Sequence, residues 1–429
     1  MSALQREEES RAVAAARSVL ASQQKGFRAL LPFLGPAFVA AVAYIDPGNY
    51  ATNIQSGSEF GYKLLWVVVL ANLMAMLIQN MSAKLGIATG KSLPELCRER
   101  FPRSVSVVLW IVSEIAAMAT DIAEFLGATL ALNLLVGIPM LLATLITGVV
   151  TYIILMLDRY GFRPLEIFIG ALVLLIGACY AAETWFSHPQ VGQVVYHSLV
   201  PWVQGPSAML LVVGVIGATV MPHVVYLHSG LTHRRIVPQN DQERRAIYRF
   251  SLKEVVIAMA LAGLINLSMM YMAASVFHGT GHLQVATIPV AYRTLTPILG
   301  SAASAVFLTS LMASGISSSA VGTMAGQVIM QGFVGFTIPV WIRRVVTMAP
   351  TVVIVALGIN PTETLVLSQV LLSMVLPIPV LSLVYFASKR EIMGVLVNRR
   401  YVTVAASLCA ALIVVLNVYL ILQTLGISL

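Results

Sequence analysis

The chain has 429 residues, 58% of them hydrophobic and only 10% charged, against roughly 25% charged residues in a soluble globular domain. A soluble fold of this size cannot hide that much apolar surface, and the pattern leaves no room for a second, soluble domain. The formal net charge of +8 raises nucleic acid as a partner, but the basic residues gather in alternate loops between apolar runs, which points to a membrane instead.

Residues 1–28 carry Arg6, Glu7, Glu8, Glu9, Arg11 and Arg17 and have no uninterrupted apolar core before a small-residue cleavage site, so they read as a mobile cytoplasmic tail and not as a cleaved signal peptide. From Leu30 onward, apolar runs of roughly 20 residues, enough to cross a ~30 Å hydrocarbon core, recur almost to the C-terminus. Eleven spans are expected, near 29–58, 61–85, 104–128, 133–157, 165–183, 207–233, 251–277, 297–318, 336–358, 361–387 and 402–427. With the N-terminus inside, the inner segments hold 24 Lys and Arg and the outer ones only two, Lys63 and Arg293. That is the bias of the positive-inside rule, and it sets an odd number of spans with the C-terminus outside.

The first expected span contains Asp46-Pro47-Gly48-Asn49 in the middle of an apolar stretch. Proline removes a backbone donor and clashes with the preceding turn, glycine loosens the backbone, and the Asp and Asn side chains offer partners to the freed groups. An ionisable residue at membrane depth is a functional-site hypothesis by default. A structural kink alone would not require Asp46.

The third span carries Glu114, Asp121 and Glu124, which at 100° per residue fall within about 80° of one another and form one polar stripe. Such a stripe marks a proton relay or pairs with basic residues to hold helices together; Arg235 and Arg344, near the inner ends of spans 6 and 9, are the expected partners. The sixth span repeats the break, with Met221-Pro222-His223 following Gly217-Ala218-Thr219-Val220. Proline kinks are common in membrane helices, and Met221 and His223 are each ambiguous alone. Two interrupted helices five spans apart nonetheless suggest inverted repeats with a midplane site between them: residues 29–183 form the first five-helix repeat, 207–387 the second, and 402–427 an added eleventh helix.

If the two breaks face each other, the available groups are the Asp46 carboxylate, the Asn49 carbonyl oxygen, the Met221 thioether and unpaired backbone carbonyls. That set suits a divalent cation. The thioether disfavours Ca²⁺ and Mg²⁺, while Mn²⁺, Fe²⁺ and softer ions accept mixed oxygen and sulfur ligation. Cys97, Cys179 and Cys409 lie far apart without a C-x-x-C pair, so neither a disulfide framework nor a zinc site is indicated.

At these residues the sequence resembles the Nramp family of proton-coupled metal transporters, in particular its bacterial manganese-transport branch. The match rests on DPGN (46–49), MPH (221–223) and the segments ATNIQSGSEFGY (51–62), MATDIAEFLGA (118–128) and ASGISSSAVGTMAGQ (313–327), and it covers the chain from about residue 29. The resemblance implies an all-α integral membrane protein of LeuT-type fold in a bacterial inner membrane. It implies import of Mn²⁺ and Fe²⁺, with Cd²⁺ and Co²⁺ as further substrates, coupled to protons by alternating access. The implied ligands are Asp46, Asn49 and Met221, joined in different states by the Ala43 and Ala218 carbonyls and by Gln369. The implied proton route runs through Asp46, His223, Asp121 and Glu124 to Arg235 and Arg344, with Glu114 and Asn266 as supporting polar groups. Neither cofactor nor obligate protein partner is implied. Ile316 and Val224 depart from residues frequent in the family, but neither is an implied ligand.

Three rival classes fit less well. An amino-acid symporter on the same fold binds a substrate carboxylate at broken-helix N-termini and needs no thioether beside an aspartate. A passive channel lines its pore with rings of acids or carbonyls, unlike a single midplane carboxylate. Intramembrane proteases pair two aspartates or use HExxH or Ser/His, none of which occurs here at a plausible spacing.

Overall fold

The computed structural model describes residues 3–22, 26–157, 162–282, 285, 287–336 and 338–424, and every regular element among them is a helix. Hydrocarbon cannot satisfy backbone polar groups, so apolar runs of this length close their hydrogen bonds within helices. Glycines at left-handed φ end the second, third and eighth spans: Gly90 after Leu65–Thr89, Gly137 after Arg103–Val136 and Gly335 after Ser301–Val334. These are C′ positions where a side chain would be strained.

Among the described residues, eight stretches are helices long and apolar enough to cross a bilayer. Three of the eleven expected spans fall short of that length. The first is split into Pro36–Ala43 and Pro47–Phe60. The fourth, Met140–Leu155, and the ninth, Val340–Ala356, have 16 and 17 residues, about 24 and 26 Å at 1.5 Å per residue. The sixth is also split, into Gly205–Thr219 and Pro222–Thr232. The tenth kinks at Pro377, but Leu376 N still reaches the Leu372 carbonyl at 3.0 Å, so the chain stays helical there.

The two split helices pack crosswise, the first half of one against the second half of the other. The second and seventh spans flank them. On the other side the third and eighth spans, 34 residues each, lie against one another. Small residues permit that approach: a Cβ on Gly315 would stand 2.7 Å from the Ala128 backbone nitrogen, and one on Gly127 would strike the Pro47 ring. The long helices thus abut the first break directly.

The N-terminal segment differs from the expected mobile tail. Residues Ala3–Ser22 form a helix whose Ala16 and Val19 pack with Phe33, Ile87, Ile236 and Ile247. Arg17 pins it to Glu243 at 2.8 Å and to the Val237 carbonyl at 2.7 Å. Apolar residues three apart, Ala16 and Val19, give the helix a buried face that the many charges around it conceal in the sequence. Residues 1–2 and 23–25 of the expected tail, and residues 425–427 of the expected eleventh span, lie outside the described residues.

Candidate metal site

Both breaks follow one rule. The carbonyl of residue i in a helix normally accepts from the N–H of residue i+4, and four residues after Ala43 comes Pro47, as four residues after Ala218 comes Pro222. Proline has no N–H to give, so the Ala43 and Ala218 carbonyls lose their helical donors at corresponding points of the two spans. The neighbouring carbonyls are satisfied from outside: Asn266 Nδ2 donates to the Tyr44 carbonyl at 2.7 Å, and Ser314 Oγ donates to that of Ile45.

Asp46 is the N-cap of the helix Pro47–Phe60. Its carboxylate accepts from Gly48 N at 3.0 Å, Asn49 N at 2.9 Å and Asn49 Nδ2 at 2.7 Å. The positive end of the helix dipole favours a negative charge there. Asn49 is clasped from the other break, where Nδ2 also donates to the Ala218 carbonyl at 2.9 Å and Oδ1 accepts from Thr219 Oγ1 at 3.2 Å. One NH₂ group therefore stands between two oxygens, Asp46 Oδ1 and the Ala218 carbonyl. Met221, extended at φ −86°, ψ 125°, caps the helix Pro222–Thr232. Gln369 of the tenth span closes the site: a Cβ on Gly48 would overlap its side-chain amide, and its Oε1 is buried without a partner. Asp46, Asn49, Met221, Ala43, Ala218 and Gln369 are all 0% exposed, so the site is occluded from solvent.

Among the described residues, no group of three or more His, Cys, Asp or Glu is placed to hold a metal. The groups seen at the breaks are the Asp46 carboxylate, the Asn49 amide and the Ala218 carbonyl, with Met221 at the N-cap of the second half of the sixth span.

On the third span, Asp121 and Glu124 face Gly322 of the eighth, and among the described residues neither forms an ion pair. Glu124 lies within Coulombic range of Asp121, Asp46 and Arg344. His223 Nδ1 shares a hydrogen bond with Thr120 Oγ1 at 3.1 Å, while Nε2 is unpartnered. His223 thus connects the sixth-span break to the third-span stripe.

Of the two expected basic partners, only Arg344 comes near the stripe, within Coulombic range of Asp121 and Glu124. Glu114 pairs with Arg343 at 2.9 Å, not with its neighbour Arg344. Arg344 donates to the Thr151, Ser319 and Thr323 hydroxyls at 2.7, 2.5 and 3.0 Å and lies over the Phe125 ring. Arg235 does not join the third-span stripe. It binds Glu166 of the fifth span, which also holds Arg163 at 3.0 Å, and the Leu34 carbonyl at 2.9 Å.

Other polar groups around the first span were not singled out from the sequence. Glu254 accepts from Gly35 N at 2.6 Å and Ala37 N at 3.0 Å, capping the helix Pro36–Ala43. Gln79 Nε2 donates to Tyr44 Oη at 2.6 Å, and Gln79 Oε1 meets His228 Nδ1 at 2.8 Å. The signal available for Glu166 and Glu254 is an acid just inside the basic end of an apolar run. The signal for Ala43 and Ala218 is a proline four residues ahead.

A family model described as natural resistance-associated macrophage protein-like (Nramp) matches residues 37–423. A protein from Verminephrobacter eiseniae named divalent metal cation transporter MntH is 54% identical over 418 residues, spanning 97% of this chain and 95% of that protein. A crystal structure of the Eremococcus coleocola manganese transporter, in complex with an aromatic bis-isothiourea substituted compound, superposes with TM-score 0.84 at 33% identity, over 92% of this chain and 87% of that one. The structure of MhsT in complex with L-phenylalanine matches with TM-score 0.59 at 13% identity, over 90% of this chain and 98% of that one, a likeness of LeuT-type fold alone.

The Glu114–Arg343 pair gives a stability test. Arg343 is only 4% exposed as a side chain, and removing one partner of a buried pair costs about 3–5 kcal/mol because the other charge is left unpaired. Glu114→Gln and Arg343→Met are each expected to lower the melting temperature in detergent. The double variant is expected to lose clearly less than their sum; additive losses would show that the pair carries no coupling.

Proposed function

The chain belongs to the Nramp family of membrane transporters, and from that premise we propose that it imports divalent transition-metal ions, Mn²⁺ and Fe²⁺ foremost with Cd²⁺ and Co²⁺ as further substrates, together with protons. The observation that carries the reading is the Asn49 amide. Its NH₂ occupies the point between Asp46 Oδ1, at 2.7 Å, and the Ala218 carbonyl, at 2.9 Å, where two oxygens converge beside the Met221 cap of the opposite break. A half-turn of that amide replaces the two donated hydrogens with a third oxygen, Oδ1. An entering cation then meets Asp46, Asn49 and the Ala218 carbonyl, with the thioether alongside. The printed names of the relatives, a divalent metal cation transporter and a manganese transporter, support the same substrate class.

In this reading the breaks are bound in turn from either side of the membrane. Ala43 contributes its orphaned carbonyl in one state, and Gln369 approaches in the state open to the outside. Metal displaces a proton from Asp46, His223 passes it to Asp121 and Glu124, and the hydroxyl-lined Arg344 terminates the route on the inner side. Arg235 and Glu166 fasten the start of the first span. The N-terminus lies in the cytoplasm of a bacterial cell, the C-terminus outside the inner membrane, and eleven crossings join them.

Transport assays with matched expression test the ligand set. Asp46→Ala is expected to abolish uptake, since it removes the only formal negative charge among the ligands; wild-type rates would overturn the assignment. Met221→Ala is expected to keep much of its Mn²⁺ uptake, lose Cd²⁺ affinity most and become sensitive to Ca²⁺, because hard ions gain nothing from sulfur. A change of about 1.4 kcal/mol in relative affinity shifts discrimination tenfold. If Met221→Leu restores wild-type discrimination against Ca²⁺, the methionine is packing and not a ligand.

Orientation has its own test. A cysteine replacing the exposed Gly281 is expected to react with an impermeant thiol reagent in whole cells, and one replacing the exposed Gln239 only after permeabilisation. The opposite labelling would reverse the topology.

A further inference from the structure

Glu183 of the fifth span belongs neither to the metal site nor to the third-span stripe, yet it is 0% exposed. Neither carboxylate oxygen has a hydrogen-bond partner, and among the described residues no Lys, Arg or His pairs with it. Its polar surroundings are uncharged: Tyr50 from the first span, Cys179 and Tyr180 from its own, and, beside the two tyrosine hydroxyls, Ser310 from the eighth. The Tyr50 and Tyr180 rings stand 5.6 Å apart, with Phe307 packed on Tyr50 at 6.1 Å. The two tyrosine hydroxyls are buried and turn to one another and to Ser310, whose Oγ donates to the Phe307 carbonyl at 2.8 Å. From the seventh span, Tyr271 Oη turns to Thr184 and Ser268, at 2.8 and 2.9 Å, and supplies no charge.

Tyr50 directly follows Asn49, so this cluster joins the first-span break to the fifth and eighth spans. A carboxylate sealed here in its ionised form would lose its hydration with no counter-charge and no donor hydrogen-bonded to it.

We propose that Glu183 is a further proton-binding site of the transporter, apart from the route through Asp46 and the third span and loaded from the outside, whose neutral form is the one that Tyr50 and the outer half of the first span can close over. While that half stands away from the fifth and eighth spans, a hydronium ion gives one proton to the carboxylate and leaves as water. The resulting acid is uncharged and can be buried as this structure shows it. Return of the proton to outside water regenerates the carboxylate and holds the outer half open. Occlusion of the metal thereby requires a proton at a group that does not touch the metal. The direction of loading rests on the transport reading above; the protonation of Glu183 in the occluded form does not.

Two readouts separate these. In the infrared spectrum of the purified protein at neutral pH, Glu183→Gln is expected to lose one carbonyl band of a protonated carboxylic acid; an unchanged set of bands would overturn the proposal. In vesicles, wild-type Mn²⁺ uptake is expected to fall as external pH rises, and Glu183→Gln, which keeps the shape of the neutral acid, is expected to flatten that fall. Overlapping pH profiles at matched expression would also overturn it. If the wild type carries no metal, the transport reading fails and the infrared comparison still decides the state of Glu183. Should the glutamine variant not fold, a membrane-permeant carbodiimide on the wild type gives the answer by mass spectrometry. It is expected to modify Glu183, and an unmodified Glu183 in a sample modified at Glu124 would contradict the proposal.

Discussion

In hydrocarbon a backbone carbonyl without a donor costs several kcal/mol, and Pro47 and Pro222 each take away the one N–H that would serve the carbonyl four residues earlier. Everything around the midplane follows from that loss. Asn266, Ser314 and Asn49 send side chains to the freed carbonyls of Tyr44, Ile45 and Ala218, so the seventh and eighth spans and the two breaks are tied together by the need to satisfy backbone. The Ala218 carbonyl is thereby brought to the Asn49 amide that also binds Asp46, and on the proposed reading a cation is the partner that serves these oxygens at once. Thr219 Oγ1 donates to Asn49 Oδ1 and so holds the amide with its NH₂ toward Asp46 and the Ala218 carbonyl.

Charges buried in the same helices are handled in two ways. Glu114 with Arg343, and Glu166 with Arg163 and Arg235, are paired; Arg344 is held by three hydroxyls and an aromatic face. These groups fasten helices. Among the described residues Asp121, Glu124 and Glu183 form no ion pair, and unpaired acids at membrane depth are the ones suited to exchange protons. On the proposed reading, the protein separates anchoring charge from proton-carrying charge by giving direct ion pairs only to the first kind, while Arg344 acts on Asp121 and Glu124 through space.

Much of this was legible in the sequence for a local reason: a proline, an acid and an amide in consecutive positions leave few alternatives to a break, and apolar runs leave few alternatives to spans. The all-helical fold and the two broken helices are visible that way, as is the contact of Asp46 with Asn49 three residues on. The partners of the charged residues were not. Whether Glu114 meets Arg343 or Arg344 depends on a rotation of 100° about the ninth helix, which sequence separation does not specify. Arg235 is nearer in sequence to the sixth-span break than to Glu166, its partner in space. Glu183 lies at the C-terminal margin of the fifth span, where an acid reads as the start of a loop. The helix at Ala3–Ser22 was hidden by its own charges, since only Ala16, Val19 and their neighbours face the protein.

On the proposed reading a divalent ion binds where the two proline-broken helices meet. Anomalous diffraction at the manganese edge, from crystals of the protein soaked in Mn²⁺, locates the ion without reference to any residue assignment. One strong peak is expected between the breaks, coordinated by Asp46, Asn49, Met221 and the Ala218 carbonyl, with the Asn49 amide turned to present its oxygen. A peak confined to the third-span acids, or to the tyrosine-lined pocket of Glu183, with the breaks empty, would contradict it.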